Sequence, residues 1–321
     1  MRRHLFVTLL ALALALALAL GSTHAQLQEP APASPQPTLL SVDAVAVDRK
    51  GNPVTDLRPG DVEIWLEQYR IPLESMTVLT KDDERRRRTI VLLLDDITLA
   101  PELMPRAREA GRHLVTALEP EDRMAVVTLT GASIKATDDR AALRRAVDAY
   151  GVRATEPLRP DDLAAKVLNL LTAIARQAAE LPGHRRTVVA IGPGWVFDTP
   201  IPPSTVARDL RGEWTDAMRA MVLANVTLYV IDPGGVGAMP ATSGAIGMAR
   251  ETGGHAFLNT NDVTGAVDRI MRDAVSYYIL RFEDPPFFRT APLRKLDVRV
   301  KRRDVTVRAR QLIPGTPAAK R

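Results

Sequence analysis

Beyond residue 88 the chain alternates two kinds of apolar pattern. A continuous apolar run at residues 90–94, and mostly apolar runs at 124–129, 187–191 and 226–231, predict buried strands. Between them lie stretches whose apolar residues recur every three or four positions, which predicts helices with one buried stripe. The first, about 101–118, carries Met104, Ala107, Ala110, Leu114 and Leu118, with Pro101 suited to its first turn. Asp138 or Asp139 caps the second, which runs through Leu143 and Val147. Asp161 caps the third, through Leu163, Val167, Leu170 and Ile174. Ser204 opens a fourth through Leu210, Trp214 and Met221, and residues 242–251 form a fifth that Gly253-Gly254 closes. Asn261 or Asp262 caps the last, through Val267, Ile270 and Val275. Short strands at 134–136 and 255–258 complete the series. Strand and helix in this regular turn predict an α/β fold: a doubly wound, mostly parallel sheet of Rossmann type, helices on both faces.

The flanks follow a different pattern. Residues 39–47 alternate as a strand and end at the turn Arg49-Lys50-Gly51-Asn52-Pro53; residues 62–66 and 76–79 read the same way. After Ser276 come three more strands, at 277–281, 294–301 and 304–312, parted by Glu283-Asp284-Pro285-Pro286 and by Arg302-Arg303. The economical arrangement is a small β-sandwich in which segment 276–313 pairs with segment 38–80. The α/β unit, residues 89–275, is then inserted between them. Residues 314–321 read as a disordered tail.

The first 37 residues change the picture of where this chain works. Arg2 and Arg3 precede an uncharged apolar run at 5–20, and Thr23-His24-Ala25 supplies a small, polar exit. That is the layout of a signal peptide over residues 1–25, so a secreted or periplasmic protein is expected; retention as an anchor is the rival reading. Four prolines, Pro30, Pro32, Pro35 and Pro37, make residues 26–37 a linker. The absence of cysteine excludes disulfides, thiolate chemistry and a lipid-anchored lipoprotein. Arg2 and Arg3 account for two of the five net positive charges, and aromatics are only 4%. A nucleic-acid surface, which needs clustered charge with interleaved aromatics, is not expected. Once the leader is removed, no integral membrane segment is expected either.

In a doubly wound sheet, ligands bind beyond the C-terminal ends of the strands. The loops to search therefore begin at Asp95, Thr130, Ile191, Ile231 and Leu258. The first, Leu94-Asp95-Asp96-Ile97-Thr98, offers oxygen ligands suited to a hard cation. Its acidic turn, together with residues 45–54, 121–127, 230–234, 251–257 and Tyr277-Tyr278-Ile279-Leu280, resembles the VWFA-related family of bacterial secreted proteins, of acidobacterial type. That family has a von Willebrand factor A-like fold, and the resemblance covers about residues 40–313. It implies binding of protein ligands, often at a metal-ion-dependent adhesion site built on Asp-x-Ser-x-Ser around Mg²⁺. This chain departs from the motif. From Asp95 the hydroxyl positions hold Ile97 and Leu99; from Asp96 they hold Thr98 and Ala100. Thr155 stands in for the second-loop threonine, and Gly192-Pro193-Gly194 replaces the third-loop Asp, with Asp198 further on. Asp96 and Thr98, with Asp95 and Thr155, are thus the ligands if a cation binds. So many lost ligands predict a degenerate site with no cofactor, in which Asp95 and Asp96 anchor the N-terminal end of a helix.

Other chemistries find little support. A dehalogenase-type phosphatase needs Asp where Leu94 stands; the Gly-Pro-Gly and Asp232-Pro233-Gly234-Gly235 turns lack a following Gly-Lys-Ser/Thr. No Gly-x-Ser-x-Gly elbow occurs. His113, His184 and His255 have no metal partner at useful spacing, and Arg85, Arg86, Arg87 and Arg88 read as a solvated lead-in neutralised by Asp82, Asp83 and Glu84. The expectation is an exported protein–protein interaction or adhesion module, not an enzyme, with a protein ligand of unknown identity. Mg²⁺-dependent ligand binding through the remnant site is the alternative, and an unrecognised hydrolase the less favoured one.

Overall fold

The structure is a computed structural model, which describes residues 38–80, 83, 88–151, 158–181, 185–193, 209–237, 243–285 and 291–315. The leader, the linker, Arg85 to Arg87, Thr155, His184, Asp198, Ser204 and the last six residues lie outside that set.

The apolar runs form the middle of a six-stranded sheet. In chain order its strands are β5 (Thr89–Leu94), β6 (Arg123–Thr128), β7 (Ser133–Thr137), β8 (Arg186–Ile191), β9 (Val226–Ile231) and β10 (Ala256–Phe257). They lie in the order β10-β9-β8-β5-β6-β7, all parallel except β7. Every residue of β5 and β9 is buried, because both faces are covered. Ile90, Leu92 and Leu94 pack toward α1 (Met104–Thr116), α2 (Arg140–Ala149) and α6 (Val263–Val275). Val91 and Leu93 pack the other way, toward α3 (Pro160–Ala179), α4 (Arg211–Leu223) and α5 (Ser243–Glu251). Period-two alternation thus feeds two separate cores from one strand, each fully buried leucine contributing about 1.5–3 kcal/mol.

Helix ends follow local chemistry, with three revisions, one being that α4 starts at Arg211 with Leu210 at its cap position rather than inside it. Asp139 and Asp262 cap α2 and α6 through the amides of Ala142 and Gly265. Asp161 does not cap α3; Arg159 holds the cap position and Pro160 starts the helix, leaving Asp161 and Asp162 in the first turn, where the helix dipole favours carboxylates. Residues 101–118 also divide, into a short 3-10 turn over Pro101–Leu103 and then α1. No helix among the described residues is long and apolar enough to cross a membrane.

The flanks form two antiparallel four-stranded sheets, each drawing strands from both ends of the chain. One is β13 (Val305–Ala309), β1 (Leu39–Asp48), β11 (Tyr277–Glu283) and β4 (Ser75–Leu79), in that order. The other is β14 (Leu312–Pro314), β12 (Leu293–Val300), β2 (Val62–Leu66) and β3 (Tyr69–Ile71). Val42, Ala44, Leu280 and Phe282 of the first share one apolar cluster with Ile64, Leu66, Leu296 and Ile313 of the second. Tyr278 ties the loop after β1 to this core: its hydroxyl accepts from the Leu57 amide and donates to the Val54 carbonyl, each at 3.0 Å. The predicted strand at 304–312 is in fact two strands, β13 and β14, which enter different sheets.

A buried polar seam joins the first antiparallel sheet to the α/β layers. Asp273 on α6 accepts from the Tyr229 hydroxyl at 3.1 Å and from Arg308 at 2.7 Å, while its carbonyl receives Arg185 at 3.4 Å. Arg185 also lies over the Tyr277 ring, 5.1 Å from its centre. Arg310 donates to the carbonyls of Val222 and Ser41, each at 2.8 Å, and to Asn225, whose amide reaches Asp43 at 2.9 Å. Gly253 makes the close approach there possible: it takes φ +83°, and a Cβ on it would stand 2.7 Å from the Arg310 nitrogen. Beside it, the Glu251 carbonyl accepts from Gln311 at 2.8 Å, while its side-chain Oε2 is buried without a hydrogen-bond partner. Burial pushes the Glu251 carboxyl up to about 7.

Candidate functional site

Numbered within the sheet, the strands run 6-5-4-1-2-3, so the order reverses between β5 and β8. The crevice outside the carboxyl ends of those two strands is where an open sheet of this kind places a ligand. Asp95 and Asp96 leave β5 there, and Gly192 leaves β8.

Both carboxylates are buried, and both face protein donors. Oδ1 of Asp95 accepts from the amides of Ile97 at 3.0 Å and Thr98 at 2.7 Å; Oδ2 accepts from the Thr98 hydroxyl at 2.5 Å. Asp95 therefore pins a turn onto itself. Its carboxylate can lie over β8 only because residue 192 is glycine: a Cβ there would stand 2.7 Å from the Asp95 Cβ and 3.1 Å from Oδ2. Asp96 points toward β6, where the Thr130 amide donates to Oδ1 at 3.0 Å and the Thr130 hydroxyl to Oδ2 at 2.5 Å.

The sequence-predicted ligands are thus brought together in part. Asp95, Asp96 and Thr98 meet, but Thr98 serves Asp95, and the hydroxyl beside Asp96 belongs to Thr130. Thr155 lies outside the described residues. The expected anchoring role is local to the turn: the cap of the following 3-10 helix is Ala100, which makes no side-chain cap bond. Among the described residues, no group of three or more His, Asp or Glu side chains is placed to hold a metal ion.

Two residues enter the site without a motif to announce them. Tyr150, just past α2, donates its hydroxyl to the Asp95 carbonyl at 2.5 Å. Burial, then Asp95 and Asp96, push its phenol well above the ordinary range, so it remains a donor. Thr130 was recognisable only as the start of a strand-end loop; its pairing with Asp96 depends on β5 and β6 being adjacent and in register, Leu94 beside Thr128. Next to Asp96, a cleft of about 450 Å³ runs between β6, β7 and the end of α2. Across the crevice, Asp232 after β9 is buried and accepts from the Gly234 amide at 2.8 Å, while Val236 on the same loop is 71% exposed.

Of the remaining candidates, His113, His255 and Arg88 are described, and each makes contacts within the fold. His113 contacts Asp268 at 2.7 Å, linking α1 to α6, and His255 stands edge-on to Phe257. Arg88 does not belong to a solvated run: it is buried, and its Nε donates to Asp122 at 2.7 Å beneath β5 and β6. A pair held inside the fold needs both partners in place.

No known protein-family profile matches the chain, and no curated protein matches it either. Among solved structures, the manganese-loaded TRAP protein of Plasmodium vivax is similar at a TM-score of 0.40 and 10% identity, over 76% of this chain and 98% of that one. The N-terminal domain of TFIIH p34 is similar at 0.38 and 12%, over 59% and 99%. A secreted C11 cysteine protease of Bacteroides thetaiotaomicron, iotapain, is similar at 0.21 and 12%, over 46% and 45%. With TM-scores under 0.5, none of the three bears on what this chain does.

Proposed function

We propose that this protein is an exported module that binds a protein ligand, for adhesion or assembly, and does so without catalysis and without a metal ion. In this reading a von Willebrand A-like unit, residues 89–275, is set into a β-sandwich made from residues 38–80 and 276–313. The leader over residues 1–25 delivers it to the periplasm or the exterior. The strand-end face then presents Thr98, Val236 and their loops to the partner, with exposed Val236 as an apolar contact.

One observation carries the metal-independent part. All four carboxylate oxygens of Asp95 and Asp96 accept N–H or O–H donors from Ile97, Thr98 and Thr130. Around Asp95 and Asp96, Ile97 and Leu99, or Ala100, stand at the hydroxyl positions of the adhesion motif, and Gly192 begins the turn that replaces its third-loop Asp, so the two carboxylates lack the partners that an ion demanding near-ideal octahedral oxygen ligands requires. They fit an anchor that holds the loop.

Calorimetric titration of the processed chain with Mg²⁺ or Mn²⁺ tests this. The expected result is no binding heat. Saturable heat that disappears in Asp96→Ala would establish the alternative, Mg²⁺-dependent ligand binding through Asp95, Asp96, Thr98 and Thr155. Affinity capture from the extracytoplasmic fraction should retain a partner equally with and without EDTA. Turnover in a substrate screen, abolished by a strand-end substitution, would show an enzyme instead.

A further inference from the structure

The binding role proposed above leaves one cleft unused, beside the last strand of the six-stranded sheet. The six-stranded sheet ends at β10, and the β13-β1-β11-β4 sheet ends at β13. Residues of both terminal strands line a single cavity of about 480 Å³, within the range of sites that bury a ligand. The bridge between Thr252 and Arg310, and the Gln311 amide bonded to the Glu251 carbonyl, hold the two sides together at one end.

An open sheet edge is a row of backbone donors and acceptors, and natural proteins blunt such edges with charge, cover or brevity. β10 is blunted by brevity, at two residues. β13 has five and carries Arg308 into the cleft. The other charges there are also mostly positive. Arg250 is exposed in the last turn of α5, and only one Nη of Arg308 is engaged with Asp273. The acid that lines the cleft, Asp297, is bonded to Arg299 at 2.7 Å. The apolar contribution is equally specific: Ile246 is 40% exposed on α5 and lines the same cavity as Val298 and Val307.

We propose that this cleft binds an extended acidic peptide segment, added as a strand to the open edge of β13. Backbone hydrogen bonds to β13 supply affinity that is blind to sequence, and side chains alternate between two environments. Carboxylates meet Arg250 and Arg308, and an apolar side chain covers Ile246.

Fluorescence anisotropy with the processed full chain and a labelled peptide of alternating Glu and Val tests this. Saturable binding that weakens as salt rises is expected, and the corresponding Lys-Val peptide should not bind. N-methylation of the Glu-Val backbone should abolish binding, because it removes strand hydrogen bonds and keeps the charge. Arg250→Glu should weaken binding about tenfold or more, the worth of a charge-assisted hydrogen bond. Arg112→Glu makes the same change in net charge on α1 and should leave binding intact. Equal binding of the Lys-Val or the N-methylated peptide would overturn the proposal, as would equal losses in the two arginine variants or no saturable binding at all. None of these outcomes involves Thr98 or Val236, so failure here leaves the adhesion reading standing.

Discussion

The strand-end face and the polar seam both bury carboxylates, but they satisfy them differently. At the face, Asp95 is served by residues two and three positions on, and Asp96 by Thr130 in the loop that follows the adjoining strand. At the seam, Asp273 gathers Tyr229, Arg185 and Arg308, while Arg310 reaches back to Ser41. The face is mostly a local turn, whereas the seam joins parts of the chain that have nothing in common in sequence. A local turn can be perturbed with a local cost. The seam concentrates charge in a low dielectric, and losing one member strands the rest.

That contrast orders the expected effects. Asp273→Ala removes the acceptor of Tyr229 and Arg308, and should destabilise the protein by about 3–5 kcal/mol in urea unfolding. A loss below about 1 kcal/mol would mean that the seam is not a cooperative unit. Gly192→Ala forces a methyl against Asp95 and should cost about 1–3 kcal/mol, with the turn shifted. A neutral result there would mean that the carboxylate has room to move, and the anchor reading would lose its geometric basis.

The smallest effect belongs to Glu251, at the edge of the seam. Its folded carboxyl sits at about 7, above the unfolded value near 4.5, so folding penalises the ionised form. The favourable contribution is complete below about pH 4.5 and is lost as pH rises toward 7. Because the side chain keeps partial access to water, the loss should be only about 1 kcal/mol. Glu251→Gln should flatten stability across that range; an unchanged slope between wild type and variant would assign it to another group.

The same contrast explains what could be read in advance. The six-stranded sheet was legible because its central strands are mostly apolar and its helices carry regular stripes; both are local signals. Asp139 and Asp262 were legible as caps for the same reason. Thr98 sits three residues from Asp95, yet the motif reading assigned it to Asp96. Spacing within a motif does not say which way a carboxylate turns, and it was the absent Cβ of Gly192 that made room for Asp95. Thr130 was legible as the start of a strand-end loop, but its pairing with Asp96, and Tyr150 altogether, were not, because these contacts come from strand adjacency and from the end of α2. Arg88 was masked by its neighbours: four consecutive arginines suggest solvent, although the last is inside the fold. The split of residues 304–312 between two sheets has no local marker beyond Arg310 and Gln311 at the joint.

The pairing of β1 has a consequence for how the molecule is made. Its neighbours are β11 and β13, β4 pairs with β11, and β2 finds only β3 nearby before β12 is available. The chain must therefore be present as far as β11 and β13 before β1 can acquire its permanent partners. Closing so long a loop is slow and leaves strand edges exposed in the interval. The central α/β layers, whose neighbours follow one another closely in sequence, are free to assemble first and carry the two ends toward each other.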